Sequence, residues 1–109
     1  MKNSFDEKIL EQAHDWLEEK NTVVIATVIQ TWGSSPRPEG SKMIINDKGN
    51  FLGSVSGGCV ESAVIKESKD LLKKKKSFKK IKFTVSNKNA WDIGLTCGGE
   101  ICVFLEKIN

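Results

Sequence analysis

Two cysteines that each adjoin a glycine pair are the residues best suited to chemistry in this sequence. They occur in the segments Gly57–Cys59 and Cys97–Gly99. Glycine lets the backbone adopt positive φ and approach a ligand closely. Apolar residues at helical spacing follow Cys59, which places it at the start of a predicted helix. The N-terminus of a helix binds anions and favours the thiolate form of a cysteine. The pattern predicts an anion site with a nucleophilic or metal-binding sulfur, although small buried cysteines are the alternative.

A second candidate segment is the loop at 31–40, which contains two prolines and two glycines and therefore cannot form regular structure. Its Ser34 and Ser35 hydroxyls and its Arg37 guanidinium are donors suited to a phosphate or a carboxylate. A surface loop built from turn-forming residues is the alternative. His14, the one histidine, lies in a helical pattern without a partner at ligand spacing, which indicates a partly exposed packing residue.

The elements that must position these segments follow from hydrophobic periodicity. Residues 5, 9, 13, 16 and 17 form one apolar helical stripe, and 22–30 is a β-branched run typical of a central strand buried on both faces. A hairpin at 42–55, a helix from about Cys59 to Lys74, a half-exposed strand at 78–85 and a closing strand at 101–106 follow. We predict a single α+β domain over 1–109: a mixed, largely antiparallel sheet of about five strands packed by two helices.

Composition narrows the class of protein. The net charge is +3 over 109 residues, and nine lysines with two acids lie between Ser62 and Lys82. The run at 73–82 fits the solvated end of a helix and comes without a nucleic-acid motif, so we expect no nucleic-acid partner. No apolar stretch approaches the length of a membrane span, and no secretory signal is apparent. Three cysteines without a C-x-x-C pair indicate free thiols and a cytoplasmic protein.

Three segments, in this order, resemble the motifs of the XdhC/CoxI family, the accessory proteins of molybdenum hydroxylases such as xanthine dehydrogenase and carbon monoxide dehydrogenase. They are GSSPR at 33–37, GSVSGGCVE at 53–61 and GLTCGG at 94–99. The resemblance covers about 22–105. It implies a chaperone that binds molybdenum cofactor as its cargo and helps to deliver it to the hydroxylase, and thus an insertion factor more than an enzyme.

The resemblance also implies where the cofactor binds. Thiolate is a soft ligand, so Cys59 and Cys97 are the candidate molybdenum ligands. Arg37 and the helix start suit the phosphate or oxo groups, and small hydroxyl residues suit the pterin edges. The cofactor-binding residues expected on this basis are Ser34, Ser35, Arg37, Ser56, Gly57, Gly58, Cys59, Glu61, Thr96, Cys97, Gly98 and Gly99.

Two departures from the family pattern bear on partners and chemistry. The family's usual C-terminal dinucleotide-fold domain is absent from these 109 residues, so we expect either that a separate chain supplies it or that this is a stand-alone half. Cys102 stands where the family often has an acid. A homodimer would supplement the small core.

Two other functions remain open: a cysteine-dependent sulfur-transfer enzyme that uses Cys59, and a structural subunit that binds an acidic partner through the lysine run.

Overall fold

The chain forms a five-stranded antiparallel sheet with one helix on each face. The structure, a computed structural model, describes residues 4–32, 38–56, 60–84 and 100–108. The elements in chain order are α1 (Ser4–Glu18), β1 (Val23–Trp32), β2 (Lys42–Asn46), β3 (Phe51–Gly53), α2 (Glu61–Lys73), β4 (Phe78–Thr84) and β5 (Glu100–Lys107). The predicted fold class is confirmed, and every described strand pair is antiparallel.

The β-branched strand β1 is central, as its composition predicts. The strand order is β3-β2-β1-β5-β4, and β1 pairs with β2 on one side and β5 on the other. Val23, Val24 and Ala26 have no exposed surface. The prediction that this strand is buried on both faces fails toward its end, because a β-bulge between Val28 and Gln30 interrupts the pairing and leaves Ile29 45% exposed.

Helix α1 packs its apolar stripe on β1, β2 and β3. Ile9, Ala13 and Trp16 form a buried cluster with Val23 and Ile44. These helix positions are three and four residues apart, so they share one face of the helix and leave the charged positions in solvent. The amphipathic helix predicted to cover a sheet face is therefore confirmed.

Helix α2 covers the opposite face of the sheet. Its buried residues Val64 and Leu71, together with Val60 just before the helix, join one core with β1, β2 and β5. The helix starts two residues later than predicted, at Glu61, and ends within one residue of the predicted position, at Lys73. Its start therefore follows the glycine–cysteine segment in the chain, and its end leads into β4.

Strand β4 forms one edge of the sheet, and its two faces differ. Ile81 and Phe83 pack on the core beneath α2, which confirms the predicted half-exposed strand. Phe78 belongs to the same strand but faces the α1 side and is 63% exposed. Its odd number of steps from Ile81 places the two side chains on opposite faces, because side chains alternate along a strand.

The β2–β3 hairpin turns through an asparagine. Asn46 Oδ1 accepts hydrogen bonds from the backbone N–H groups of Lys48 at 3.0 Å and Asn50 at 2.9 Å, and Gly49 has a φ of +89°. The side chain thus takes the place of a backbone acceptor, which suits Asn at the start of a turn. The turn directs β3 back along β2 toward the segment at 53–61.

Candidate functional site

The strand ends that flank the three family segments lie at the same end of the sheet. Trp32, the last residue of β1, pairs with Glu100, the first of β5, which also pairs with Thr84, the last of β4. Gly53 ends β3 opposite Met43, and the following Ser54 N–H donates to the Lys42 carbonyl at 3.2 Å. The segments 33–37, 57–59 and 85–99 lie outside the described residues, so their convergence into one site stays a prediction.

The loop after 33–37 is tied firmly to β1. Gly40 N–H donates to the Val28 carbonyl at 2.7 Å, and Val28 N–H donates to the Ser41 carbonyl at 2.9 Å. The Ser41 hydroxyl donates to the Pro38 carbonyl at 2.6 Å. Backbone and side chain together fix the position at which the chain leaves the predicted Arg37 loop.

Gly53, the first glycine of the second motif, is required by its surroundings. Its φ is +97°, which side chains of L-residues rarely tolerate. A Cβ there would lie 2.5 Å from the Lys42 carbonyl oxygen and 3.0 Å from Ile9 Cδ1. The glycine therefore lets β3 turn away from β2 while α1 packs directly above it.

Glu61 holds the segment between Gly53 and the glycine pair through a set of hydrogen bonds that we call the Glu61 clamp. Its Oε2 accepts from the Ser54 hydroxyl at 2.6 Å and from the backbone N–H groups of Val55 at 3.0 Å and Ser56 at 2.9 Å. Its Oε1 accepts from the Ser56 hydroxyl at 2.6 Å. Three consecutive residues are thus bound by one carboxylate in the first turn of α2.

The clamp also secures the start of α2. Ser56 is fully buried. Its Oγ accepts a hydrogen bond from the Val60 N–H at 2.9 Å, and its hydroxyl donates a hydrogen bond to Glu61. Val60 occupies the N-cap position, which lacks a cap from its own side chain. Ser56 Oγ therefore satisfies an N–H group that the helix leaves unpaired at this end.

Burial and hydrogen bonding act on the Glu61 carboxyl in opposite directions. Burial alone would raise its pKa, because the charged form loses contact with water. The hydrogen bonds from the Ser54 and Ser56 hydroxyls and from the Ser56 and Val55 N–H groups outweigh burial and lower the pKa from 4.5 to about 2. Glu61 is therefore a buried carboxylate, and its negative charge lies at the positive end of the α2 dipole.

Of the predicted cofactor-binding residues, the structure describes Ser56 and Glu61 and brings them into direct contact. The hydrogen bonds give both a structural task, and direct contact with a cofactor stays a prediction for them. The other predicted residues lie outside the described part of the chain: Ser34, Ser35, Arg37, Gly57, Gly58, Cys59, Thr96, Cys97, Gly98 and Gly99.

The remaining polar candidates lie away from this end or are buried. The His14 side chain is 71% exposed on α1, where its Nε2 is 3.5 Å from a Glu18 carboxylate oxygen, so it is more exposed than the partly exposed packing residue that the sequence predicts. Cys102 is a buried free thiol in β5. Among the described residues, no group of three His, Cys, Asp or Glu side chains is placed to hold a metal ion. No helix in the described ranges is long and apolar enough to cross a membrane.

Sequence reasoning missed the clamp and the role of Gly53. The sequence signal for the clamp is an acid in the first turn of a helix, preceded by two alternating serines, Ser54 and Ser56. A carboxylate at a helix start often accepts nearby N–H groups. Here the hydrogen bonds run backward from Glu61 to residues 54–56, outside the short spacing of an ordinary capping box.

Comparison with known proteins relates this fold and site to a family. The profile of the XdhC and CoxI family matches residues 16–83. The chain is 33% identical over 101 residues to the "Molybdenum cofactor insertion chaperone PaoD" of Escherichia coli (strain K12), covering 92% of this chain and 31% of that protein. It is 34% identical over 94 residues to a probable xanthine dehydrogenase subunit from Bacillus subtilis (strain 168), covering 84% of this chain and 28% of that protein.

A solved structure agrees with the sequence comparison. A crystal structure described as a xanthine dehydrogenase from Bacillus halodurans superposes with a TM-score of 0.72 at 27% identity, covering 91% of this chain and 30% of that one. The chain thus spans about a third of the length of the proteins that it matches. The family profile covers well over half of the 109 residues, so this chain belongs to the XdhC and CoxI family.

Proposed function

We propose that this domain binds molybdenum cofactor as cargo and helps to insert it into a hydroxylase of the xanthine dehydrogenase type. Membership of the XdhC and CoxI family supports the proposal, as does the relative named as a molybdenum cofactor insertion chaperone. The domain acts as a carrier that holds and releases the cofactor without changing it. A molybdenum hydroxylase in the cytoplasm is then its partner.

The Glu61 clamp is the observation that carries the proposal. It fixes Ser54, Val55 and Ser56 and the N-cap residue Val60, which flank Gly57–Cys59 on both sides. A binding segment whose two ends are fixed loses less conformational freedom when the ligand arrives, and this improves affinity. The clamp lies inside the family motif, which explains why an acid follows the cysteine at this spacing.

The clamp also divides the tasks among the predicted site residues. Glu61 Oε2 accepts three hydrogen bonds, so that oxygen has no capacity left for a metal. We therefore assign Glu61 and Ser56 to positioning and the molybdenum contact to the soft sulfurs of Cys59 and Cys97. Because the Glu61 charge already occupies the positive end of α2, a cofactor phosphate needs the Arg37 guanidinium as well as backbone N–H groups. Ser34, Ser35 and Thr96 donate to the pterin.

The family architecture includes a dinucleotide-fold domain, and the matched relatives are about three times as long as this chain. We propose that a polypeptide carrying such a domain works together with this one during insertion. Cofactor retention and cofactor transfer are then separable steps, with retention assigned to the domain described here.

The test is retention of pterin by the purified domain. The protein is expressed in cells that make molybdenum cofactor, and the released pterin is oxidised and measured by fluorescence. Near-stoichiometric pterin is expected in the unaltered protein, and a Cys59→Ser/Cys97→Ser double variant is expected to lose most of it. Cys102→Ser is the matched control, because its thiol is buried in β5 and is assigned no contact with the cofactor.

One outcome contradicts the carrier function, and another contradicts only the assignment of the sulfur ligands. Absence of pterin from the unaltered protein, also after addition of a polypeptide with the dinucleotide-fold domain, removes the carrier function. Equal pterin in the unaltered protein and the Cys59→Ser/Cys97→Ser variant removes the sulfur ligands while leaving the carrier function in place.

A further inference from the structure

An aromatic residue and a carboxylate lie side by side at the end of the sheet where two family segments adjoin the strands. Trp32 is the last residue of β1 and directly precedes the segment 33–37, and Glu100 is the first residue of β5 and directly follows the segment 94–99. The register pairs the two residues. Their side chains therefore project from the same face of the sheet, with Cβ atoms about 5 Å apart. We call these two residues the Trp32–Glu100 pair.

Lys82 of β4 contacts both members of the pair. Its Nζ lies 4.8 Å from the centroid of the Trp32 ring and 3.8 Å from Glu100 Oε1. One ammonium group thus keeps the indole and the carboxylate close together. Because it also balances the Glu100 charge, the three side chains carry no net charge, and simple attraction of an anion is not what they offer.

The pair is open to solvent. Trp32 is 36% exposed even with Lys82 above its ring, and the Glu100 side chain is 42% exposed. Tryptophan is on average among the more buried residues. An indole with free surface next to a free carboxylate suits a flat ring that also donates hydrogen bonds.

The pterin ring of the proposed cargo has this chemistry. Its pyrimidine half carries the 2-amino-4-oxo pattern of guanine, in which an amino group and a neighbouring ring N–H point in the same direction. A carboxylate accepts hydrogen bonds from both groups at once. The flat face of such a ring stacks on aromatic side chains, as bases do in proteins that bind single-stranded nucleic acids.

The residues assigned so far leave the pterin N–H groups without a carboxylate. Ser34, Ser35 and Thr96 are assigned to the pterin as donors. The carboxylate in that set belongs to Glu61, which is buried and holds residues 54–56 in the clamp. Glu100 supplies the missing acceptor.

We propose that the Trp32–Glu100 pair is the subsite for the pterin ring of the cargo. The indole stacks on the ring, and the carboxylate accepts from the amino group and the adjacent ring N–H. Lys82 is a positioning residue that holds the two side chains together. The inference rests on the proposed carrier function and assigns to it two residues that the family motifs do not indicate.

The rate at which pterin-loaded protein loses its cargo after dilution tests the subsite. Trp32→Leu and Glu100→Gln should each raise this rate about tenfold, through loss of stacking and of a bidentate contact respectively. Trp32→Phe should release slowly, because a flat ring remains. Circular dichroism confirms that each variant is folded.

Two matched controls separate the subsite from general surface effects. Phe78→Leu removes an aromatic residue that is 63% exposed at the opposite end of β4. Glu39→Gln changes an exposed acid at the same end of the sheet, whose Oε2 accepts the Thr31 N–H at 3.2 Å. Both should release pterin at the rate of the unaltered protein.

Fluorescence tests direct contact. The emission of Trp32, taken as the difference between unaltered and Trp32→Phe protein, should be quenched in the loaded state and return when the cargo leaves. Pterin added to empty protein should quench this emission more strongly than lumazine, which has an oxygen in place of the 2-amino group. Glu100→Gln should remove that preference, whereas a residue with only a structural role would not affect it.

The outcomes distinguish the subsite from the carrier function. Unchanged release rates in Trp32→Leu and Glu100→Gln overturn the subsite and leave the carrier function in place. Trp32 emission that is not quenched while pterin is bound excludes stacking on this ring. Absence of pterin from the unaltered protein, also with a polypeptide carrying the dinucleotide-fold domain, removes both proposals.

Discussion

Helix α2 makes two short carboxylate contacts, and their surroundings differ. In its first turn, Glu61 is 9% exposed and accepts four hydrogen bonds from a segment of three residues. Two turns later, Glu67 accepts a single hydrogen bond of 2.8 Å from Lys79, and the two side chains are 34% and 37% exposed. The Lys79 pKa is raised mainly by this hydrogen bond.

Distance alone does not separate these contacts, since both include a bond shorter than 3 Å. The difference lies in what happens when each is lost. Water replaces Glu67 at the surface, whereas loss of the Glu61 carboxylate leaves buried donors without an acceptor. The chain therefore holds the first turn of α2 with a buried charge, and the middle of the helix with a contact that water can replace.

Removal of the clamp should give the largest effect. Glu61→Ala is expected to lower the free energy of unfolding by about 4 kcal/mol, since it removes hydrogen bonds to a charge and leaves Ser56 and Val55 N–H groups unsatisfied. Urea unfolding followed by tryptophan fluorescence, to which the buried Trp16 contributes, measures this loss. A loss below about 1 kcal/mol would mean that water replaces the carboxylate as easily here as at Glu67.

The turn that precedes the clamp should be nearly as sensitive. Gly53→Ala is expected to lower the free energy of unfolding by about 3 kcal/mol. The substitution strains a residue with positive φ and also places a Cβ against the Lys42 carbonyl. Gly40→Ala is the matched control: its φ is +90°, but nothing lies within 4 Å of the added Cβ. Gly40→Ala should lower the free energy of unfolding only by the backbone strain, about 1–2 kcal/mol. Equal losses in the two variants would remove the steric argument.

Acid should weaken the clamp selectively. A group whose pKa is lowered on folding stabilises the fold above its unfolded pKa, and the stabilisation is lost as the pH falls through its folded pKa. For Glu61 the window runs from 4.5 down to about 2. The advantage of the unaltered protein over Glu61→Gln, about 2 kcal/mol at neutral pH after allowance for solvent screening, should shrink steadily across it. A difference independent of pH in that window would exclude a charged clamp.

The exposed contact should give the smallest effect. Glu67→Gln is expected to leave the urea midpoint unchanged within error at moderate salt, because an exposed ion pair is solvated and screened. The same unfolding assay serves, with Glu61→Gln measured beside it. A loss in Glu67→Gln comparable to that in Glu61→Gln would show that burial is not the deciding difference between these two contacts.

Much of the fold follows from local pattern. The stripe of Ile9, Ala13 and Trp16 predicts α1 and its buried side, and the β-branched run predicts β1 at the centre of the sheet. Such features depend on the period of neighbouring residues and on their chemistry. The pairing register decides what the pattern leaves open, including the face on which Phe78 lies and the bulge that exposes Ile29.

The sequence names candidate site residues, but it does not predict how the two described ones, Ser56 and Glu61, interact. The motif directs attention to Ser56 and Glu61, yet residue type alone suggests polar groups available to a ligand. Their hydrogen bonds to each other depend on the path of the backbone after Gly53, which is set by its positive φ and by the packing of α1 above it. Contacts that close through a turn of unusual backbone geometry leave no periodic signal in the sequence.

The position of β4 at the rim of the sheet has a consequence for solubility. A rim strand offers a row of unpaired backbone donors and acceptors to any other extended chain, and this is how many proteins begin to form fibres. β4 carries Lys79, Lys80 and Lys82 within its seven residues. Two chains that met rim to rim would bring these cations together, so the lysines act as gatekeepers against polymerisation. If neutral residues replaced these lysines, the seven-residue strand would be open to pairing with the same strand of other copies, and the protein would aggregate more readily.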